Sequence, residues 1–393
     1  MKAKRGIGSA PLKGRRVLVR VDFNVPLDGH GGVADDRRLA EALPTLQHLR
    51  AAGARTVMMS HLGRPGGQRD MRYSLRPVAR RLSALLGTPV PLAEDAVGIH
   101  ALDAVSRLGN GDAVLLENLR FHAGEEANDP GFVVQLSQLG ELFVEEAFGS
   151  VHRAHASTVG VPRRLPAFAG LLVEREVRAL TPLIDGAERP YVVLVGGAKV
   201  ADKLPLLASF LGRADRLVIG GALAFPFLRA QGANLGATPT EEGVGPAVDA
   251  FLHQAEGSST EVLLPSDLVV ERPGSPDGAV VPVGSVPSEA LGRDVGPASR
   301  AAFAHALDGS RTVFWNGPLG LAEDPRFAAG TREVLARLAD VPGYHVAAGG
   351  DSARVAEELG VLGGFTFVST GGGAALEFVQ GLELPGLAVL PDA

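Results

Sequence analysis

VLVRVDFNVPLD, residues 17–28, is a short apolar run that stops in a knot of hydrogen-bonding groups, Arg20, Asp22 and Asn24. An apolar stretch that is continuous rather than alternating fits a strand covered on both faces, as in a parallel sheet. Runs of the same kind recur at 56–59 (TVMM), 113–116 (AVLL), 191–195 (YVVLV), 216–219 (RLVI), 312–315 (TVFW), 344–347 (YHVA) and 365–368 (FTFV). Nearly all end in glycine or a polar residue. Amphipathic segments lie between them; across 326–339, Phe327, Val334, Leu335 and Leu338 share one helical face. The pattern predicts a parallel α/β architecture, with the chemistry in the residues just after each strand.

At 393 residues the chain exceeds one ordinary domain, and two are expected. The boundary is placed at 171–190, where LLVEREVRALTPLIDG reads as a charged helix. Polar stretches at 232–246 and 271–289, rich in Gly, Pro and Ser, are expected as surface loops. There are no cysteines, which excludes disulfides, zinc thiolate sites and cysteine nucleophiles together. No long uncharged apolar run reads as a membrane span, and the basic N-terminus has no apolar core behind it, so a cytoplasmic protein is expected. The net charge of −6 argues against nucleic acid. It divides unevenly, +5 over residues 1–180 and −11 over 181–393, which suits an anionic ligand in the first half and a ligand that arrives with a metal in the second.

In the first half the positions after the strands are cationic: Arg20 with Asp22 and Asn24, Arg38, His61 to Arg64, Arg120, and His152-Arg153. Any one arginine is more often a solvated side chain than a ligand. Several converging planar forks, however, match a small, multiply charged anion. In the second half the same positions are glycine-rich: Gly196-Gly197, Gly220-Gly221, Gly317, Gly349-Gly350 and Gly371 to Gly373. Together they suggest a nucleotide site in which backbone amides face phosphates. Neither a Walker loop nor a dinucleotide fingerprint is present, which weakens the P-loop and NAD-dependent oxidoreductase readings. Five lysines stand against 33 arginines; outside the first 13 residues only Lys199 and Lys203 remain, four apart at a helix start. No paired carboxylates or Ser-His-Asp set stands out. Phosphoryl transfer onto an oxygen that is already an anion needs alignment and charge neutralisation, not a general base.

The motifs RVDFNVPLD (20–28), SHLGRP (60–65), LLENLRFHAGEEAND (115–129), GGAKVADKLPLL (196–207), VFWNGPLG (313–320), GGDSA (349–353) and STGGGAALEF (369–378) follow in an order that resembles the phosphoglycerate kinases over essentially the whole length. The resemblance implies two Rossmann-like domains, each a parallel β-sheet flanked by helices, joined by a hinge helix. It places the substrate domain at 1–172, the hinge helix at 173–190 and the nucleotide domain at 191–379, with a tail at 380–393 returning to the first domain. The implied reaction is transfer of the acyl phosphate of 1,3-bisphosphoglycerate to Mg-ADP, giving 3-phosphoglycerate and ATP, on domain closure. Substrate would be held at Asp22, Phe23, Asn24, Arg38, His61, Leu62, Gly63, Arg64, Arg120 and Arg153. ATP or ADP would be held at Gly197, Lys199, Lys203, Gly220, Gly221, Gly292, Asn316, Glu323, Gly349, Gly350, Asp351 and Ser352, with Asp351 bearing on Mg²⁺. Arg38, Lys203 and Gly372 would serve the transfer itself. A monomer is typical of the family.

The chain departs from the family pattern at Ala298, Phe367, Ala348, Pro226 and Glu145-Glu146, where Asn-Asp is usual. None of these carries an implied catalytic role. A catalytically silent relative is the rival reading, and it would be expected to have lost Arg38, Lys203 or the glycines at 371–373; all are present.

Overall fold

The structure, a computed structural model, describes residues 3–275 and 277–393, with the backbone alone for Asp351. The chain groups into two compact units, one running up to Arg178 and including Glu383–Ala393, the other spanning Ala179–Leu382.

The first unit holds β1 (Arg16–Arg20), β2 (Arg55–Met59), β3 (Ala113–Leu115), β4 (Leu142–Glu145) and β5 (Ala167–Ala169). All pairings are parallel, in the order β3-β2-β1-β4-β5. The chain thus starts at the sheet centre, steps outward through β2 to β3, then returns to the other side of β1. That reversal leaves a crevice beyond the carboxyl ends of β1 and β4. Burial along β1, β2 and β4 is nearly unbroken because helices cover the sheet. Val17, Val19, Met58 and Val144 pack with Leu39, Leu46 and Leu82 from the helices Arg37–Ala51 and Arg76–Leu86. Each such side chain contributes roughly 1.5–3 kcal/mol on burial. The C-terminal residues lie along the start of this unit: the Arg5 amide donates to the Pro391 carbonyl at 2.8 Å and the Ala393 amide to Ala3 at 2.9 Å.

The second unit carries β6 (Tyr191–Val195), β7 (Arg216–Ile219), β8 (Glu261–Leu263), β9 (Asp267–Glu271), β10 (Ala279–Pro282), β11 (Leu291–Val295), β12 (Thr312–Asn316), β13 (Tyr344–Ala348) and β14 (Phe367–Ser369). Six of them form a parallel sheet, β14-β13-β12-β6-β7-β8, the doubly wound order with its reversal between β6 and β12.

The remaining three correct the all-parallel expectation. β10, β9 and β11 form a separate antiparallel sheet, and β10 lies inside 271–289, read above as loop. Its Val281 is buried while Val280 is 55 % exposed, an alternation too short to register between glycines and prolines. What holds it is a small core of its own, Phe225, Leu228, Leu268, Val270 and Val281. β4 was also not anticipated, because it ends in two acids that the fold buries, Glu145 and Glu146. The strand expected at 365–368 lies at Phe367–Ser369. The helix expected at 326–339 is Ala329–Ala336 with a single tight turn on either side. The charged helix expected from 171 spans Leu171–Ile184.

Candidate active site

In the first unit the predicted groups stand beyond the carboxyl ends of β1 to β4. Asp22 and Asn24 follow β1; His61, Leu62, Gly63 and Arg64 follow β2; Arg120 sits in the tight turn Leu119–Phe121 after β3; Arg153 follows β4. Arg38, in the first turn of the helix Arg37–Ala51, reaches back so that its Nη1 lies 2.7 Å from Asp22 Oδ2. Asn24 Oδ1 accepts from the Gly63 amide at 2.9 Å, and Arg120 Nη1 donates to the Gly63 carbonyl at 2.8 Å, so three strand ends are tied at one glycine. Gly63 has φ +62°, and a Cβ there would sit 2.3 Å from the Tyr73 ring, which restricts the position to glycine. Arg64 is exposed. Phe23 and Leu62 lie in the hydrophobic core, so only their backbone is left to meet a ligand.

Below this layer lies a buried network that joins Arg20 and His61, both expected from the sequence, to residues that were not. Arg20 Nη2 lies 3.1 Å from His61 Nδ1, and its Nε donates to Ser157 Oγ at 2.8 Å. Ser157 Oγ in turn donates to Glu125 Oε1 at 2.6 Å. Asn118 also braces the site, accepting from the amides of Leu62 at 3.2 Å and Arg120 at 3.1 Å. Asn118 and Glu125 lie within the motif LLENLRFHAGEEAND and Ser157 lies 32 residues beyond Glu125, but the sequence does not show that they meet Arg20 and His61 across the fold.

Burial, with Arg20 beside it, holds the His61 pKa well below its usual 6.5, so the ring is neutral at pH 7. A neutral ring facing the Arg20 donor through Nδ1 must accept there and carry its proton on Nε2. Burial alone would raise the Asp22 pKa, but Arg38 and Arg20 outweigh it and the carboxylate stays ionised. Glu145, at the end of β4, is different. Burial pushes its pKa up to about 8 against the opposing effects of Arg20 and the Ala147 amide, and its Oε2 has no hydrogen-bond partner among the described residues.

A carboxyl raised in the native state binds a proton that the unfolded chain releases near its ordinary 4.5. Its stabilising effect is complete below 4.5 and is lost as pH rises toward 8. Glu145→Gln is therefore expected to gain stability over the parent between pH 5 and 8, by a few kcal/mol at the upper end, roughly. Urea denaturation at both pH values measures it; a constant difference would mean that Glu145 does not titrate in this window.

In the second unit the glycines divide into two kinds. A Cβ on Gly196 would meet the Pro318 carbonyl at 2.0 Å, one on Gly220 the Leu319 side chain at 2.7 Å, and one on Gly317 the Gly196 carbonyl at 2.5 Å. These glycines, with Gly221, let the loops after β6, β7 and β12 pack backbone against backbone: the Gly197 amide donates to Pro318 and the Gly221 amide to Leu319, at 2.9 and 2.8 Å. Gly197, Gly350 and Gly372 face open space, with φ +105° at Gly197 and +54° at Gly372. Ser352 Oγ accepts from the Gly317 amide at 2.8 Å, bracing the loop after β12.

Lys199 occupies the position before the first turn of the helix Val200–Phe210, and Lys203 lies one turn inside it. Lys203 Nζ donates to Asn316 Oδ1, while Asn316 Nδ2 donates to the Ala348 carbonyl at 2.6 Å. One buried amide thus joins the ends of β12 and β13 to the lysine. Glu241, from the loop at 232–246, was not anticipated: its Oε2 accepts from the Val200 amide at 2.5 Å at the start of that helix. Gly292 lies apart from the strand ends, in β11, against Phe225 and Thr238. Glu323 is 3.6 Å from Arg354. Gly349 follows β13, and Asp351 lies in the helix Gly350–Glu358, but its side chain lies outside the described residues. Among the described residues no cluster of three metal-ligating side chains occurs, and no helix is long and apolar enough to cross a membrane.

The family model for phosphoglycerate kinase matches residues 7–382. The chain is 47% identical to the phosphoglycerate kinase of Pelotomaculum thermopropionicum over 99% of its own length and 100% of that protein's. It is 46% identical to that of Coprothermobacter proteolyticus, covering 98% of each. Among solved structures, phosphoglycerate kinase from Coxiella burnetii superposes with a TM-score of 0.89 at 35% identity, covering 98% of each chain. The enzyme from Pyrococcus horikoshii does so with a TM-score of 0.85 at 32% identity, again over 98% of each.

Proposed function

Because the chain belongs to the phosphoglycerate kinase family, we propose that the two sets of strand-end groups divide that family's reaction between them. The protein is a glycolytic kinase that reversibly transfers a phosphoryl group from 1,3-bisphosphoglycerate to ADP, giving 3-phosphoglycerate and ATP. The cationic groups of the first unit take the glycerate: Asp22, Asn24, Arg38, His61, Arg64, Arg120 and Arg153, with the backbone at Phe23, Leu62 and Gly63. The second unit takes the nucleotide as its Mg²⁺ complex through Gly197, Lys199, Lys203, Gly220, Gly221, Gly292, Asn316, Glu323, Gly349, Gly350 and Ser352. Asp351 is the carboxylate for Mg²⁺; a metal carried mainly by phosphate oxygens needs only one or two from the protein.

The observation that carries this division is that the members of both sets, Gly292 apart, gather beyond the carboxyl ends of parallel strands, one set in each unit. A terminal phosphate oxygen of ADP forms the new bond to phosphorus as the bond to the acyl oxygen breaks, and the carboxylate leaves with its electron pair. No proton changes hands, which fits a site with a neutral histidine and no general base. Arg38 and Lys203 neutralise the oxygens of the group in flight, and the amide after Gly372 adds a donor. A coupled assay with 3-phosphoglycerate and Mg-ATP tests the activity; no turnover sinks the reading.

We further propose that the residues 1–172 and 191–379 act as substrate and nucleotide domains, joined by a hinge at 173–190, in a cytoplasmic monomer. Transfer then requires the two to approach, which excludes water and aligns donor with acceptor. 3-Phosphoglycerate and nucleotide together are expected to lower the radius of gyration in solution scattering more than either alone. An unchanged radius in an active ternary sample contradicts closure.

A further inference from the structure

At the other end of the first unit's sheet, a cavity of about 750 Å³ opens beside the amino ends of β2 and β3. That volume is in the range of small-molecule sites. The strands themselves, about 13 Å long at β2, separate it from the cationic cluster. Its walls are Leu46 and Arg50 from the last turns of the helix Arg37–Ala51, Leu86 and Leu92 from the chain around the edge of β3, and Ala104 and Leu108 near the helix Gly98–Ser106. Leu86, Leu92 and Ala104 are only half-buried and present apolar surface to it.

The charges at its rim are not equivalent. Asp103 is paired with Arg107 at 2.6 Å, Glu94 with His100 at 3.2 Å, and Asp112 accepts from the Gly109 amide at 2.8 Å. Arg50 has no carboxylate partner among the described residues; its contact is a long 3.5 Å hydrogen bond to the Leu86 carbonyl. A guanidinium offers five donors and a flat face on which a ring can stack. Arg50 is thus a rim cation whose donors no described carboxylate occupies, and the acid group of a ligand can meet it there.

We propose that this cavity is a binding site, separate from the phosphoryl-transfer groups, for a small amphiphilic anion: a ring-sized apolar body bearing one sulfonate or carboxylate that pairs with Arg50. The apolar body fills the space between Leu46, Leu86, Leu92 and Leu108, and the acid group stays at the rim.

The test titrates the full-length protein with 8-anilinonaphthalene-1-sulfonate, following its fluorescence in the presence of saturating Mg-ATP and 3-phosphoglycerate so that the substrate sites are filled. Saturable one-site binding is expected. Ala104→Phe, which places a ring in the cavity, should weaken it by about tenfold or more. Arg50→Met should weaken it comparably while leaving the neutral analogue N-phenyl-1-naphthylamine unaffected. Both variants should retain parental turnover, which also reports that they fold. The proposal is overturned if the probe does not bind, if substrates displace it, or if Arg50→Met leaves its affinity unchanged; that last variant, at an exposed position, decides the matter even where Ala104→Phe fails to fold.

Discussion

Arg38→Ala is expected to lower kcat by roughly 10²-fold or more while leaving nucleotide affinity nearly intact. Arg38 reaches the cluster from the first turn of a helix and is held there by Asp22, its Nη1 2.7 Å from the carboxylate. Asp22 is ionised because cations surround it, so the pair keeps the guanidinium aimed without neutralising the rest of the cluster. A donor whose interaction strengthens only as charge develops in transfer shows its loss in kcat rather than in ground-state binding. The nucleotide groups belong to the other unit, so calorimetric affinity for Mg-ADP should hold. A variant with near-parental kcat would remove Arg38 from the mechanism.

Lys203→Arg is the second large effect, expected to cost about tenfold or more in kcat/KM although the charge is kept. The lysine's ammonium is fixed by Asn316, whose own amide is anchored on the Ala348 carbonyl at 2.6 Å. That oxygen is aimed at a compact donor one helical turn from Lys199. A guanidinium is larger, planar and directional, and it cannot occupy the same point without displacing Asn316 from β13. In a chain with 33 arginines and five lysines, a lysine at this position fits that requirement. Unimpaired steady-state kinetics in Lys203→Arg, set beside a defective Lys203→Met, would show that charge alone matters.

Much of the candidate site was legible because its groups lie in short segments. Arg20 to Asn24, His61 to Arg64 and Lys199 to Lys203 each follow a strand whose apolar run can be seen by eye, and the doubly wound order brings strand ends together without further instruction. The glycines were legible as a group but not by role. Gly196 and Gly317 are required because neighbouring backbone fills the space a Cβ would need, and Gly220 because the Leu319 side chain does, whereas Gly197, Gly350 and Gly372 leave open space. That distinction depends on atoms contributed by other loops.

Local pattern determined the parallel α/β class, most of the strands and the candidate cationic and lysine positions, because burial on two faces and the start of a helix each leave a signature within a few residues. Only the tertiary structure decided the antiparallel sheet of β9 to β11, whose stability comes from a core assembled with Phe225 and Leu228. It also decided the protonated Glu145 beneath the cluster, the Arg20–Ser157–Glu125 network, the Glu241 carboxylate at the start of the lysine helix, and the cavity beside Arg50. Each of these depends on what a side chain meets across space after the chain has folded, where burial sets the cost of a charge and a partner many residues away sets whether that cost is offset.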